Sequence, residues 1–258
     1  MQAKSAYVVV HASACFPDKL KLELQPTLDF ELWALDFYSI AVPILAYILT
    51  ALAAYLLGSI PTGFLVGRAK GIDIRAVGSG NIGATNAMRV LGKPAGIFVL
   101  LLDAAKGYGA CALGVFIFLW TSDLDYFDDA FYIFLKRFMV IAGIFAVLGH
   151  NYTCWLKFKG GKGIATTTGV YLALAPWAVL IALGVFLLAV LVTRYVSVGS
   201  ISGAVALVAA VWILPPHIVF LGIVTTALGA LAIYKHKSNI QRLRAGTENR
   251  LGKKLEAR

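Results

Sequence analysis

Residues 164–193 read IATTTGVYLALAPWAVLIALGVFLLAVLVT, and this stretch decides how often the chain can cross a membrane. It is 30 residues long and is interrupted by Pro176. A single helix of that length would extend about 45 Å, whereas the hydrocarbon core of a bilayer is about 30 Å thick. The alternative is two short crossings that meet near Pro176, because proline interrupts a helix. The positions of the two ends of the stretch decide between these alternatives.

The composition of the whole chain is that of an integral membrane protein. Of its 258 residues, 60% are hydrophobic and 14% are charged, and the mean hydropathy is +0.81. Soluble domains carry about 25% charged residues. Besides residues 164–193, five further apolar runs are candidates for membrane helices, which need about 20 residues to cross a bilayer. These runs cover residues 37–57, 94–120, 130–148, 198–214 and 217–234.

The basic residues orient these runs. Of the 23 Lys and Arg residues, 17 lie in the segments 67–93, 157–162 and 235–258 or at Arg194. These segments contain only three acidic residues. Such clusters mark cytoplasmic loops. The linker 121–129 has four aspartates and no basic residue, and it belongs outside. With Arg194 inside, residues 164–193 cross an even number of times. The sequence therefore predicts an all-α integral membrane protein with seven transmembrane helices, the N-terminus outside and the C-terminus cytoplasmic.

Three parts of the chain follow from this assignment. Residues 1–36 contain five acids and three lysines, and they form an N-terminal extension to which no function is assigned. Residues 37–245 form the polytopic membrane domain, and residues 246–258 form a basic cytoplasmic tail. The three cysteines, Cys15, Cys111 and Cys154, have neither metal-binding nor CxxC spacing. A pI near 9.6 also fits nucleic-acid binding, but the basic residues flank membrane spans and form no soluble basic face. Anionic substrates and anionic lipids are the partners that this charge favours.

The longest polar break between apolar runs is residues 71–89, GIDIRAVGSGNIGATNAMR. It contains four glycines, two asparagines and two arginines. Glycines let backbone N–H groups approach a ligand closely, and nested N–H groups bind anions. The arginine guanidinium offers paired donors to phosphate oxygens. At a membrane surface, such a segment predicts a pocket for a substrate that carries phosphate.

Three other polar clusters fall on the same predicted face as residues 71–89: 150–163, 194–202 and 234–242. Each joins phosphate-binding residue types to apolar flanks, and their convergence is stronger support than any single cluster. Taken singly, they have plainer interpretations. Gly160–Gly163 fits a flexible basic turn and lacks Walker A spacing, and His150 fits an interfacial histidine. Asp103 and Lys106, three residues apart in an apolar helix, either neutralise each other or belong to a site.

These clusters resemble the PlsY family, the bacterial membrane glycerol-3-phosphate acyltransferases that use acyl phosphate as donor. The resemblance extends over about residues 45–250 and rests on several motifs in the family's order. They are GSIPTG at 58–63, DIR at 73–75, GSGNIGATN at 78–86, LDAAKG at 102–107, LGH at 148–150, FKGGKG at 158–163, YVS at 195–197 and the stretch 234–239. The family has seven spans and an external N-terminus, in agreement with the charge argument.

The resemblance implies an enzyme of the first acylation step of phospholipid synthesis in the bacterial inner (plasma) membrane, with its active site on the cytoplasmic side. An acyl group passes from acyl phosphate to the sn-1 hydroxyl of glycerol 3-phosphate, giving lysophosphatidic acid and phosphate. The catalytic residues implied are Lys162, Ser79 and Arg89. The substrate-binding residues implied are Gly78, Gly80, Asn81, Asn86, His150, Gly160, Gly161, Ser200, His236 and Asn239. Lys162 would neutralise negative charge that develops at the attacked carbonyl, and holding the two substrates together adds a proximity effect.

The sequence offers no obvious protein base. Acyltransferases that depend on coenzyme A or carrier protein use a His-x4-Asp pair, and none of the four histidines has an acid five positions later. Acyl phosphate is already activated, so the hypothesis is that an oxygen of the donor phosphate accepts the hydroxyl proton. The sequence shows no metal-ligand set and implies no cofactor.

Two other classes of function share part of this sequence pattern. A transporter or channel for a phosphorylated solute would also use basic breaks in membrane helices, but its binding site would lie at mid-depth, whereas these clusters gather on one side. A non-catalytic lipid-binding or scaffold protein would not need motifs at several separated places. Release of inorganic phosphate from acyl phosphate and glycerol 3-phosphate, without a membrane gradient, separates an enzyme from both.

Overall fold

A computed structural model describes residues 44–122 and 129–251 of the chain. The chain divides into two compact units, Met1–Leu45 and Ala46–Arg258. All helices described here lie in the second unit, apart from the first two residues of the first helix. The N-terminal extension 1–36, the start of the first apolar run, most of the aspartate-rich linker and residues 252–258 lie outside the described residues.

Regular structure in the described residues is helical throughout, as the sequence predicts. Ten α-helices and a short 3₁₀ turn at Cys154–Leu156 follow one another along these residues. They are α1 (residues 44–59), α2 (Thr62–Ala69), α3 (Ala84–Leu91), α4 (Lys93–Thr121), α5 (Asp129–Asn151), α6 (Ile164–Leu174), α7 (Pro176–Thr193), α8 (Val196–Ile213), α9 (Val219–Lys235) and α10 (Lys237–Arg244).

Several of these helices are long and apolar enough to cross a membrane. Five spans meet that criterion within the described residues, and a sixth is added if α9 and α10, which bend by 51° at their junction, count as one. The five are Ile44–Ala69, Lys93–Thr121, Phe131–Leu156, Pro176–Thr193 and Val196–Ile213. Trp177, Leu191 and Val192 of α7 each expose more than 70% of their surface, as side chains facing lipid would. A multi-pass membrane architecture is thus confirmed, and the count of seven spans stays a prediction.

Pro176 divides residues 164–193 into two helices. α6 ends at Leu174, a single residue intervenes, and α7 begins with the proline. Proline fits this position because the first residue of a helix has no use for its N–H group inside the helix. The predicted break is confirmed. α6 has only 11 residues and is shorter than the helices that meet the length criterion for crossing a membrane.

The short helix α6 packs tightly against the long helix α4. A Cβ added at Gly107 of α4 would overlap the carbonyl of Thr166, and one added at Gly169 of α6 would overlap the carbonyl of Ala104. Small residues allow membrane helices to approach this closely. α4 also packs against α3 and α5, and α8 packs between α7 and α9. The start of α6 is therefore held beside α4, close to the polar residues considered next.

Candidate active site

A polar cavity of about 150 Å³ lies where four distant parts of the chain meet. Nine of the thirteen residues predicted for the site line it: Ser79, Asn81, Asn86, Arg89, His150, Lys162, Ser200, His236 and Asn239. They come from the loop before α3, α3 itself, the end of α5, the loop before α6, α8 and the α9–α10 junction. The structure thus brings together all four clusters that the sequence places on one face.

The loop before α3 is shaped from within by Asn86. The Asn86 side-chain oxygen accepts a hydrogen bond from the backbone N–H of Ser79 (2.9 Å), and its amide donates to the carbonyls of Ile74 and Val77 (both 3.1 Å). Gly78 (φ +67°) adopts the left-handed conformation that favours glycine. The Asn86 amide is therefore engaged by the loop and positions Ser79 at the cavity wall, while Gly78 and Gly80 shape the loop without lining the cavity.

The glycines before Lys162 pack onto the end of α5. The N–H of Gly161 donates to the carbonyl of His150 (2.9 Å), and the N–H of Gly160 donates to that of Asn151 (3.2 Å). These two N–H groups are thus used within the protein. Gly160 and Gly161 line a neighbouring cavity and not the main one, and their contact with α5 fixes the direction in which Lys162 leaves the loop.

Lys162 lies at one end of a hydrogen-bonded network. Its ammonium donates to the side-chain oxygen of Asn239, whose amide in turn donates to Glu248 (2.7 Å). Burial, and then the nearby charge of Arg242, lower the pKa of Lys162 from 10.5 to about 8, although Glu248 acts in the opposite direction. An anion that enters the cavity would therefore stabilise the charged form of Lys162.

Glu248 connects the segment after α10 to both α8 and α10. Its carboxylate accepts hydrogen bonds from Ser197 of α8 (2.9 Å) and from Asn239 (2.7 Å), and it forms an ion pair with Arg242 (2.7 Å). Burial by itself opposes ionisation, but the hydrogen bonds from Asn239, Arg242 and Ser197 outweigh it, and the pKa of Glu248 is lowered. Residues 246–251, the described part of the predicted tail, therefore fold back to the cavity.

His236 presents one defined acceptor to the cavity. Its Nδ1 lies 2.7 Å from the carbonyl of Ala232, which can only accept a hydrogen bond, so we assign the ring proton to Nδ1. The other nitrogen, Nε2, is then a lone-pair acceptor. Ser200, one of the lining residues, bonds back to the carbonyl of Val196 (2.9 Å), a contact that still leaves its oxygen able to accept. Both side chains suit a substrate with hydroxyl groups.

Two arginines add fixed positive charge. Arg89 of α3 and Arg242 of α10 both line the cavity. Burial lowers the pKa of Arg89, Glu248 raises it and Arg242 lowers it, and Arg89 remains charged because an arginine does not lose its proton in a protein. Including Lys162, three cationic side chains therefore face the cavity, partly balanced by Glu248 and by Asp103.

Asp103 and Lys106 form a buried ion pair behind the cavity. Asp103 Oδ1 lies 3.0 Å from Lys106 Nζ, accepts a hydrogen bond from Thr62 (3.0 Å) and lies 3.6 Å from His150 Nδ1. Lys106 also donates to the carbonyl of Ile60 (2.8 Å). The sequence left open whether this pair was structural. The contacts show pairing, and Asp103 also reaches the cavity wall.

Several lining residues were not among the sequence predictions. Those with polar or charged side chains are Asp103, Thr85, Ser197, Arg242, Glu248 and Asn249. Ser197 and Arg242 lie inside two of the polar clusters, so proximity to these clusters was an available signal. Glu248 and Asn249 follow the last helix and carry no local pattern, so sequence reasoning had no means of placing them in the site.

An apolar cavity of about 330 Å³ continues from the polar one. The two share wall residues from α4, α6, α7 and α8: Leu100, Ile164, Ala165, Phe186 and Ser200. Tyr171 and Thr225, whose hydroxyls are hydrogen-bonded at 2.7 Å, also line the apolar cavity. Among the described residues, no group of three or more metal-binding side chains is present.

Because the polar and apolar cavities share a wall, together they can hold a molecule with an anionic head and an apolar chain.

Comparison with known proteins agrees with this architecture. Residues 48–246 match the family model described as glycerol-3-phosphate acyltransferase. The glycerol-3-phosphate acyltransferases of Chlorobaculum parvum and Geobacter sulfurreducens are 45% and 46% identical to this chain. These alignments cover 80% and 79% of this chain and 97% and 96% of the relatives.

Two solved structures are similar as well. The crystal structure of PlsY (YgiH), an integral membrane glycerol 3-phosphate acyltransferase, matches in its glycerol 3-phosphate form with a TM-score of 0.69 and 38% identity, covering 80% of this chain and 96% of that one. Its lysophosphatidic acid form matches with a TM-score of 0.67 and 37% identity, covering 80% and 95%. From the family match and these relatives, we conclude that the chain belongs to the glycerol-3-phosphate acyltransferase (PlsY) family and is a membrane acyltransferase.

Proposed function

We propose that this protein transfers an acyl group from acyl phosphate to the sn-1 hydroxyl of glycerol 3-phosphate, in the first acylation step of phospholipid synthesis. A bond forms between the glycerol oxygen and the acyl carbon, and the bond from that carbon to the phosphate oxygen breaks. The products are lysophosphatidic acid and inorganic phosphate. The observation that carries the proposal is the continuity of a cationic cavity with an apolar one through shared wall residues.

The polar cavity supplies what glycerol 3-phosphate requires. Arg89, Lys162 and Arg242 offer charge to its phosphate, and arginine does so in a paired geometry. Ser200, His236 and Asn239 offer hydrogen bonds to its hydroxyls. Ser79, held by Asn86, lies on the same wall and suits the phosphate of the donor. The remaining predicted residues chiefly position the groups that contact the substrates. They are Gly78, Gly80, Asn81, His150, Gly160 and Gly161.

The apolar cavity suits the acyl chain of the donor. It runs away from the polar cavity along α6 from Ile164 to Tyr171, a helical distance of about 10 Å. Leu101 and Leu183, which line it, expose 62% and 44% of their surface, so the cavity meets the surface between α4 and α7. An acyl phosphate dissolved in the bilayer can therefore enter laterally. A phosphorylated solute carried by a transporter would have no use for this chamber.

Lys162 is the proposed electrostatic catalyst. Its ammonium, already raised in free energy by burial, would be stabilised by the negative charge that develops on the carbonyl oxygen and on the departing phosphate. The proton of the attacking hydroxyl passes to an oxygen of the donor phosphate. His150 is a poor alternative base because Gly161 packs against Nε2 of its ring and Asp103 lies 3.6 Å from its Nδ1. Nε2 of His236 is the better protein candidate, and its substitution tests the route.

The proposed orientation places this site on the cytoplasmic side of a bacterial inner membrane, with seven spans, an external N-terminus and residues 37–245 as the membrane domain. The support is the density of basic residues in the chain segments that contribute to the cavity, including Lys157, Lys159, Arg194 and Arg244. Because Glu248 reaches the cavity, we extend the functional unit beyond residue 245 into the predicted tail. Single cysteines at positions 159 and 244 should react with impermeant reagents only from the cytoplasmic side.

A single assay tests the function. Purified protein in detergent, supplied with glycerol 3-phosphate and acyl phosphate, should release inorganic phosphate and form lysophosphatidic acid without any membrane gradient. Acyl-CoA should not replace acyl phosphate. Lys162→Met should lower kcat by roughly 10²–10³, as the loss of one stabilising donor does in other acyl-transfer sites. Release of phosphate without lysophosphatidic acid, or full activity with acyl-CoA, would overturn the proposal. If His236→Asn abolishes an acidic limb of the rate profile, where a general base becomes protonated, while still binding substrate, a protein base replaces the donor phosphate in the mechanism.

A further inference from the structure

A third cavity, of about 310 Å³, lies beside the proposed active site. Lys162 and Asn81 line both this cavity and the polar cavity, so these two side chains stand between them. The remaining wall includes Lys235, Lys237 and Ser238 at the α9–α10 junction. The acyltransfer reaction as proposed leaves this second polar space without an occupant.

The third cavity has positive charge and no acid in its wall. Three lysines line it, and none of its lining residues, all of which belong to the described part of the chain, is Asp or Glu. Two arginines of the chain are, in contrast, paired with carboxylates: Arg75 with Asp73 (2.6 Å) and Arg242 with Glu248 (2.7 Å). An anion from outside the chain would therefore meet three ammonium groups and no competing carboxylate in this wall.

Neutral groups hold two of these ammonium groups in place. Lys235 Nζ donates to the carbonyl of Asn151 (2.9 Å) and lies 4.4 Å from the centre of the Tyr152 ring. Lys237 Nζ lies 5.0 Å from the centre of the Tyr234 ring. Carbonyl and aromatic contacts orient an ammonium without cancelling its charge. Each lysine keeps further donors for an anion, because an ammonium has three N–H groups.

We propose that this cavity is a second binding site for a phosphate group, adjoining the active site across Lys162. The ligand is either inorganic phosphate or the phosphate of a lipid headgroup at the membrane surface. Resting on the proposed function, the site would receive phosphate that leaves the acyl donor, with Lys162 contacting the anion on both sides. Ser238 and Asn81 complete the recognition with neutral hydrogen bonds. The proposal concerns binding alone and adds no chemical step.

The test uses the purified full-length protein and inorganic phosphate. Thermal unfolding in detergent should shift upward with phosphate concentration, because a ligand that binds the folded state stabilises it. Lys235→Gln/Lys237→Gln should weaken the apparent phosphate affinity by about tenfold or more, as expected for the loss of charge-assisted hydrogen bonds. Lys157→Gln/Lys159→Gln removes the same charge from exposed positions nearby that do not line the cavity, and it should bind phosphate as the parent does.

Lys235 also contacts the end of α5, so its substitution could disturb folding. The single variant Lys237→Gln leaves that contact intact and should also weaken phosphate binding. A second arm replaces phosphate by vesicles of phosphatidylcholine with and without phosphatidic acid. Selective loss of the phosphate response identifies the free anion as ligand, and selective loss of the phosphatidic acid response identifies a lipid headgroup. If the Lys235/Lys237 variant matches the Lys157/Lys159 control in both arms, the second site is refuted. These readouts require no turnover, so they are independent of the failure or success of the acyltransfer proposal.

Discussion

The backbone of Gly161 lies against the imidazole of His150, so closely that a Cβ at position 161 would overlap the ring at Nε2. The N–H of Gly161 also donates to the carbonyl of His150 at 2.9 Å. His150 is 5% exposed and cannot move aside easily. This contact fixes the loop that carries Lys162, the residue immediately after Gly161.

Gly161→Ala should therefore displace Lys162 and lower kcat by at least about tenfold, since a misplacement of about 1 Å is already costly in an active site. The matched control is Gly184→Ala in α7, where a Cβ would meet no atom within 4 Å. That variant should keep full activity and gain up to about 1 kcal/mol of stability from the better helix former. Equal behaviour of the two variants, measured by steady-state rates and thermal unfolding, would remove the positioning role of Gly161.

The low pKa of Lys162 predicts the pH dependence of the reaction. Burial and neighbouring positive charge lower it to about 8, so the ammonium is protonated below that pH and loses its proton above it. Because the proposed substrates are anions, kcat/KM should fall as the pH rises through about 8, and this limb reports the free enzyme. In Lys162→Arg the rate should be lower and the alkaline limb should move to higher pH, since arginine stays charged. An unchanged limb in that variant would assign the titration to another group.

Sequence patterns predicted which segments are helical and which residues line the cavity better than they predicted what each lining residue does. The break at Pro176 is confirmed because proline acts locally, and the convergence of the four clusters follows from motifs that each occupy a helix end. The amide of Asn86 turned inward to hold the loop, and only the three-dimensional path of residues 74–79 explains that. Gly160 and Gly161 contact α5, a neighbour that spacing alone does not specify.

The return of the C-terminal segment is the clearest feature that no sequence pattern encoded. Glu248 is an isolated acid in a basic segment, which resembles a solvated tail. In the structure its partners come from α8 and α10, and Ser197 lies 51 residues away along the chain. Contacts of that kind depend on how α8, α9 and α10 pack together, and no periodicity within the segment reports them.

Glu248 should be needed for the alignment of α8 with α10. Glu248→Ala removes the acceptor for Ser197, Asn239 and Arg242 together, so we expect a lower thermal midpoint and a KM for glycerol 3-phosphate raised by about tenfold. Glu248→Gln keeps an acceptor oxygen for Ser197 and Asn239 and loses the ion pair with Arg242, so it should lie between Glu248→Ala and the parent. If Glu248→Ala binds glycerol 3-phosphate more tightly than the parent, the carboxylate competes with substrate instead of ordering the site.

Acyl-chain preference should depend on the length of the apolar cavity. Ala204 of α8 lines this cavity one turn beyond Ser200, about 6 Å along the helix from the shared wall. Ala204→Phe should fill the space and reduce kcat/KM for long acyl phosphates several-fold more than for short ones, because a buried methylene contributes about 0.8 kcal/mol. The KM for glycerol 3-phosphate should stay close to that of the parent. Ala209→Phe adds the same ring at an exposed position of α8 and should leave the ratio of long to short donors unchanged. Equal ratios in the two variants would place the acyl chain elsewhere, most directly along the lipid-facing surface of the bundle.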